Sequence, residues 1–210
     1  PILAKPADLC CLKGSFHTGE PQGKTTHIEG IETYIAAPAP DAANDNILLY
    51  FPDAFGLHGN SYLLMDAFAS SWCDKHLKSS EEVAAKWVEA VRSIYGTSGS
   101  VKFVCVAWGA RIVCQQLSKD GICKAGAIAH PSFMKESHVF GVDAPLYIAA
   151  PTTDSLFLPE SRARTVEILT EGEKRFNLQV YSGVGHGFAW AKEQCFKGFV
   201  EWFDFWLSRD

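Results

Sequence analysis

Two residues of this chain have the side chains of a proton relay, and a third stands where their nucleophile would be expected. His186 lies in "GVGHGF", Asp154 in "PTTDSLF", and Ala107 in "VAWGA". A histidine takes up a proton near neutral pH, and a carboxylate behind it fixes its tautomer and stabilises the imidazolium. A nucleophile served by such a pair sits on a sharp strand-to-helix turn that needs small neighbours, and Gly109 and Ala110 supply them. The helix starting there would offer the Trp108 N–H and a positive N-terminus to an oxyanion. Nucleophile position, acid, histidine is also an order in which such triads run along a chain. Yet the side chain at the turn is a methyl group, which attacks nothing.

Taken singly, each residue has a plainer reading. A histidine among glycines can be structural, and Asp154 can cap a helix or close a turn. What joins them is that each follows an apolar run of strand length. The pattern predicts strands at 47–51, 101–106, 125–129, 145–150 and 178–182, which alternate with helical segments. The helices are expected at 60–69, 79–96, near 108–118, around 160–175, and in a final segment carrying Phe199, Trp202, Phe203 and Trp206. In the second, Ser79 and Glu82 make a capping-box pattern; Val83, Trp87, Val91 and Ile94 make one face, and Gly96 is the C-cap. Short polar and β-branched pieces before residue 38 read as an antiparallel hairpin, and "APAPDAANDN" as a surface loop.

The fold class expected is therefore α/β: a mostly parallel sheet with helices on both faces and an N-terminal β-hairpin, as one domain over 1–210. Right-handed crossovers bring the carboxyl ends of parallel strands to one edge, where ligands bind. One stretch breaks the alternation. Between Ala69 and Ser79 two helices follow each other with no strand, which marks a local shortening or a missing segment near 70–74.

Composition narrows the partners. The net charge of −5, with lysines and arginines scattered singly, argues against nucleic acid or an anionic membrane surface. No apolar run approaches a membrane span, and the first residues lack the core of a signal peptide. Seven cysteines without paired spacing suggest a reduced, cytoplasmic protein with no metal and no cofactor. A small-molecule substrate and a monomer or homodimer are expected.

The segments "CLKGSFHTGEPQG", "YFPDAFGLHGNSYLLMDAFA", "VAWGA", "AHPSF", "TTDSLF", "YSGVGHGFAW" and "GFVEWFDFWL" together resemble the dienelactone hydrolase family, its fungal branch in particular. The resemblance spans nearly the whole chain and implies an α/β-hydrolase with a Cys-Asp-His triad. Ala107 then replaces the cysteine, Cys105 replaces the first glycine of its G-x-C-x-G elbow, and Asp154 and His186 match the acid and base. It further implies that Asp53 contacts the nucleophile and that Ala54 and Trp108 form the oxyanion hole. The family's arginine four residues beyond the histidine is Trp190 here, so a small anionic lactone fits poorly. With Phe55, Leu57, Phe157 and Trp190 near the cleft, and His130 facing it, a hydrophobic or aromatic, polyketide-derived ester or lactone fits better.

Four accounts of Ala107 follow. It is an inactivating substitution in a cysteine hydrolase, or the protein is a lyase, isomerase or cyclase using His186, Asp53 or His130 for proton transfer. Otherwise it is a non-catalytic binding protein, or the alignment slips in a shortened chain. Cys105, two residues before the turn and inside the strand, reads as a structural cysteine rather than a substitute nucleophile.

Overall fold

The computed structural model describes residues 1–6, 23–51, 72–191 and 193–209. Strands β1 (Lys24–Ile28) and β2 (Ile31–Ile35) form the expected antiparallel hairpin. Glu29 and Gly30 close it with φ of 51° and 75°. Two successive left-handed residues match the right-handed twist of the strands they join.

The main sheet has strands β3 (Asn46–Phe51), β4 (Lys102–Gly109), β5 (Cys123–Ser132), β6 (Leu146–Thr153) and β7 (Phe176–Gly185), parallel and in that spatial order. They alternate with helices α1 (Trp72–Tyr95), α2 (Ala110–Gln116), α3 (Glu136–Phe140), α4 (Pro159–Glu171) and α5 (Glu193–Leu207). Because side chains leave a strand on alternate faces, each strand feeds two cores. Phe103, Cys105 and Ala107 of β4 join a larger core with Val88, Val113 and Ile168 from α1, α2 and α4. Val104 and Val106 point the other way, into a smaller core closed by Cys195, Phe199 and Phe203 of α5. A strand covered on both faces must be largely apolar, which is why the central strands β4 to β6 contain apolar runs, whereas edge strand β7 carries Asn177, Gln179 and Ser182.

Several elements differ from the sequence expectations. Helix α1 begins at Trp72, so Ser79 lies inside it and cannot cap it. Its buried face is also rotated. Val88 and Val91 are buried while Val83 and Ile94 are exposed, because Trp87 turns toward the hairpin and β3. The Trp87 indole N–H donates to Thr33 Oγ1 at 2.9 Å, and its ring stands edge-on to Phe51. Residues 72–79 are helical and contain no strand; 60–69 and the start of the 70–74 segment lie outside the described residues. Gly96 follows the last residue of α1 as expected, its N–H donating to Arg92 O. The short α3 gave no usable periodicity and was not expected.

Gly126 lets α2 approach β5 closely. A Cβ at this position would lie 2.8 Å from Leu117 Cδ1 and 2.9 Å from Val113 Cγ1, both in buried side chains. Gly126→Ala is expected to destabilise the fold by about 1–3 kcal/mol through overpacking, read from urea unfolding. An unchanged midpoint would mean that α2 can stand further off the sheet.

Candidate active site

Since β4 to β7 run parallel, their carboxyl ends share one edge of the sheet, and the candidate residues gather there. Ala107 lies near the end of β4, beside Phe51 of β3 and Ile128 of β5. His130 lies near the end of β5, two residues after Ile128, Asp154 follows β6, and His186 follows β7.

Asp154 and His186 form a tight pair. His186 Nδ1 lies 3.0 Å from one carboxylate oxygen and 3.1 Å from the other. Asp154 Oδ1 also accepts the backbone N–H groups of Leu156 at 2.8 Å and Phe157 at 3.1 Å, a turn in which the side chain caps its own loop. The side chains are 0 % and 4 % exposed. Burial alone would raise the Asp154 pKa. The His186 imidazole and the two N–H groups outweigh it and hold the carboxyl below its ordinary value. The pair is thus a carboxylate holding Nδ1 of a histidine.

A short N-terminal segment ties the surrounding loops together. Leu3 and Ala4 donate their N–H groups to Met134 O, Phe133 N–H donates to Lys5 O, and Lys5 N–H donates to Leu156 O. These bonds link the loop after β5 to the loop that carries Asp154. His130 near the end of β5 and Phe133 in the loop after it have φ of 34° and 54°. Pro131 after His130 points instead to extended backbone, so nothing in the sequence announces this turn. The imidazole of His130 is buried beside His186, with ring centroids 4.7 Å apart and planes at 64°. Burial first, then the nearby His186, lowers its pKa to about 3, so it stays neutral near pH 7.

The first residues of the expected oxyanion and substrate loop, Asp53, Ala54, Phe55 and Leu57, lie outside the described residues, as do the side chains of Trp108 and Trp190. Two expectations are corrected. Phe157 does not line a cleft: its ring is fully buried in the larger core, because the Asp154 turn directs its backbone toward the carboxylate and its side chain inward. Nor does the backbone turn sharply at Ala107. Strand β4 continues to Gly109 through a register shift between Ala107 and Gly109, and this irregularity makes the bend into α2. Cys105 is fully buried, and burial followed by its neighbour Cys123 raises its thiol pKa well above the ordinary value. It is no substitute nucleophile.

The family model for dienelactone hydrolase matches residues 49–201, a span that includes Ala107, Asp154 and His186. The chain belongs to the dienelactone hydrolase family. Two relatives from Gibberella moniliformis, dienlactone hydrolases 1 and 2, are 51 % and 47 % identical to it, over 100 % and 99 % of this chain and 98 % of each relative. The first alignment runs over 255 residues against a chain of 210, so a substantial stretch of that dienelactone hydrolase has no counterpart here. Among solved structures, esterase 2 of Thermogutta terrifontis, phosphoramylated by tabun, superposes with a TM-score of 0.61 over 91 % of this chain and 96 % of its own. At 14 % identity that likeness shows the fold: the α/β-hydrolase architecture. Among the described residues no helix is long and apolar enough to cross a membrane, and no three His, Cys, Asp or Glu side chains gather as a metal site.

The buried His130 has a consequence in acid. In the unfolded chain it takes up a proton near its ordinary value of 6.5, whereas in the fold it does so only near 3. Between these values the unfolded state binds the extra proton, so stability falls as the pH is lowered from 6.5 towards 3. Replacing His130 by Phe removes this contribution. Urea unfolding at pH 7 and pH 5 is expected to show a smaller loss of stability in His130→Phe than in the parent; equal losses would place His130 in contact with water.

Proposed function

We propose that this dienelactone hydrolase family member has the machinery of an ester or lactone hydrolase whose nucleophile position is vacated by Ala107, and that its substrate is hydrophobic or aromatic and polyketide-derived. The observation that carries the reading is the buried Asp154–His186 pair at the sheet edge to which β4 delivers Ala107. With a cysteine at 107, His186 Nε2 takes the thiol proton while Asp154 holds Nδ1 and the resulting positive charge. The thiolate adds to the carbonyl carbon, and the backbone N–H groups of Ala54 and Trp108 receive the oxyanion. The intermediate collapses to a thioester as His186 returns its proton to the departing alkoxide. Water, deprotonated by the same nitrogen, then frees the acid and restores the thiol. Trp190 in place of a carboxylate-binding arginine, with Phe55 and Leu57, favours an apolar acyl or alcohol group.

A second reading rests on what the chain has as it stands. Among the described residues it holds a base and an acid with no nucleophile beside them, since Ala107 is a methyl group and Cys105 is sealed in the core. Such a site suits a lyase, isomerase or cyclase in which His186 and Asp53 move a proton on the substrate itself.

One set of variants separates the two. Removing the nucleophile from a comparable triad costs on the order of 10⁶ in turnover, with ~10³–10⁴ over water surviving. Ala107→Cys is therefore expected to raise the hydrolysis of aryl esters and aromatic lactones by roughly 10²-fold or more. Adding His186→Ala should abolish that gain. If Ala107→Cys gains nothing while the parent chain transforms a substrate in a His186-dependent way, the proton-transfer reading replaces hydrolysis.

A further inference from the structure

The Asp154–His186 contact fixes one nitrogen of the imidazole but not the whole ring. Both carboxylate oxygens lie within hydrogen-bond range of Nδ1, at 3.0 and 3.1 Å, so the ring can tilt about that contact without losing it. Proton transfer at Nε2 depends on that tilt, because a displacement of about 1 Å at a reacting group costs on the order of 10²-fold in rate. Something has to stand against the ring.

We propose that His130 is the positioning residue of this site: its imidazole, packed edge-to-face on His186, holds the His186 ring in the orientation that presents Nε2 for chemistry. This rests on Asp154–His186 being the proton-transfer pair. The contact itself has the geometry aromatic rings prefer, with centroids 4.7 Å apart and planes at 64°. His130 is in turn backed by Phe188 at 5.8 Å and 68°, and Phe188 by Tyr181 at 5.0 Å. The Tyr181 hydroxyl lies 3.3 Å from that of Tyr147, whose ring packs on Phe199 and Trp202 of α5. A row of rings thus runs from the catalytic histidine into the smaller core.

The backbone is arranged to the same end. Left-handed φ at a non-glycine residue is costly and persists only where the surroundings enforce it. His130 near the end of β5 and Phe133 just after the strand both have it, and Phe133 and Met134 are bonded to the N-terminal segment. An extended residue before Pro131 would send this side chain elsewhere. Among the described residues, the titratable groups that act on His130 are His186 and Asp154, which follow β7 and β6. A neutral ring is the suitable neighbour for a histidine that must itself become charged, since a second cation would oppose the imidazolium.

The test compares a ring without nitrogens with a side chain of similar volume and no ring. His130→Phe and His130→Leu are made in the parent chain and in Ala107→Cys. His130→Asn, the residue that best tolerates left-handed backbone, takes the place of the leucine variant if that does not fold. The first readout is the ¹H NMR signal of the His186 Nδ1–H bonded to Asp154, which needs no turnover. His130→Phe is expected to keep this signal sharp and near its parental position, and the ringless variant to broaden or shift it. In Ala107→Cys the ringless variant should lose roughly ten- to a hundredfold in kcat with little change in KM, and Phe should restore most of it. A ringless variant with an unaltered signal overturns the proposal, as does a phenylalanine variant as impaired as the ringless one. If Ala107→Cys does not hydrolyse esters at all, the hydrolase reading fails, while the NMR comparison still decides the role of His130.

Discussion

A carboxylate withdrawn from water must be surrounded by donors, and the edge of this sheet is organised around meeting that demand for Asp154. Two N–H groups come from its own loop and a third donor comes from His186 on the neighbouring strand. The third requires β6 and β7 to end side by side. The parallel register from Leu146↔Phe176 to Pro151↔Tyr181 brings the two loops out together, and the shift between Pro151 and Thr153 gives Asp154 room to turn. Losing either partner strands the other as a buried polar group, a loss of about 1–3 kcal/mol. Fold and chemistry therefore share one constraint.

The same logic extends outward through the loops. The N-terminal segment bridges the loop after β5 and the loop after β6, by Lys5 to Leu156 on one side and Leu3, Ala4 and Lys5 to Met134 and Phe133 on the other. Leu3 and Ala4 are themselves buried in the larger core, so the bridge is anchored by apolar contact as well as by hydrogen bonds. Enforcing left-handed backbone at two non-glycine residues needs this kind of external hold. The price of the arrangement is met by packing some distance from the reacting atoms.

The strands, their order along the chain and the residues at their ends were legible in the sequence, because a strand covered on both faces has to be largely apolar. Asp154 and His186 were legible as a pair because each follows a segment of strand length. Less could be read where long-range contact decides. The face of α1 depends on Trp87 reaching Thr33 and Phe51, and its start at Trp72 overrides the capping pattern at Ser79. Phe157 looked like an aromatic near a cleft and is a core residue, since the turn at Asp154 reverses the direction in which it points. His130 was a candidate, but its proline neighbour argued for the wrong backbone. Only contacts far apart in sequence fix that loop.

These constraints also weigh differently on the three positions 107, 154 and 186. Asp154 and His186 are each the other's partner in a buried site, so neither can be replaced alone without leaving an unsatisfied group. Position 107 carries no such obligation. Its side chain is fully buried at the end of a strand and within the larger core, where a methyl group packs without any polar partner. A methyl group there leaves no donor or acceptor unpaired. The Asp154–His186 pair is therefore held in place by its own hydrogen bonds, whatever side chain stands at 107.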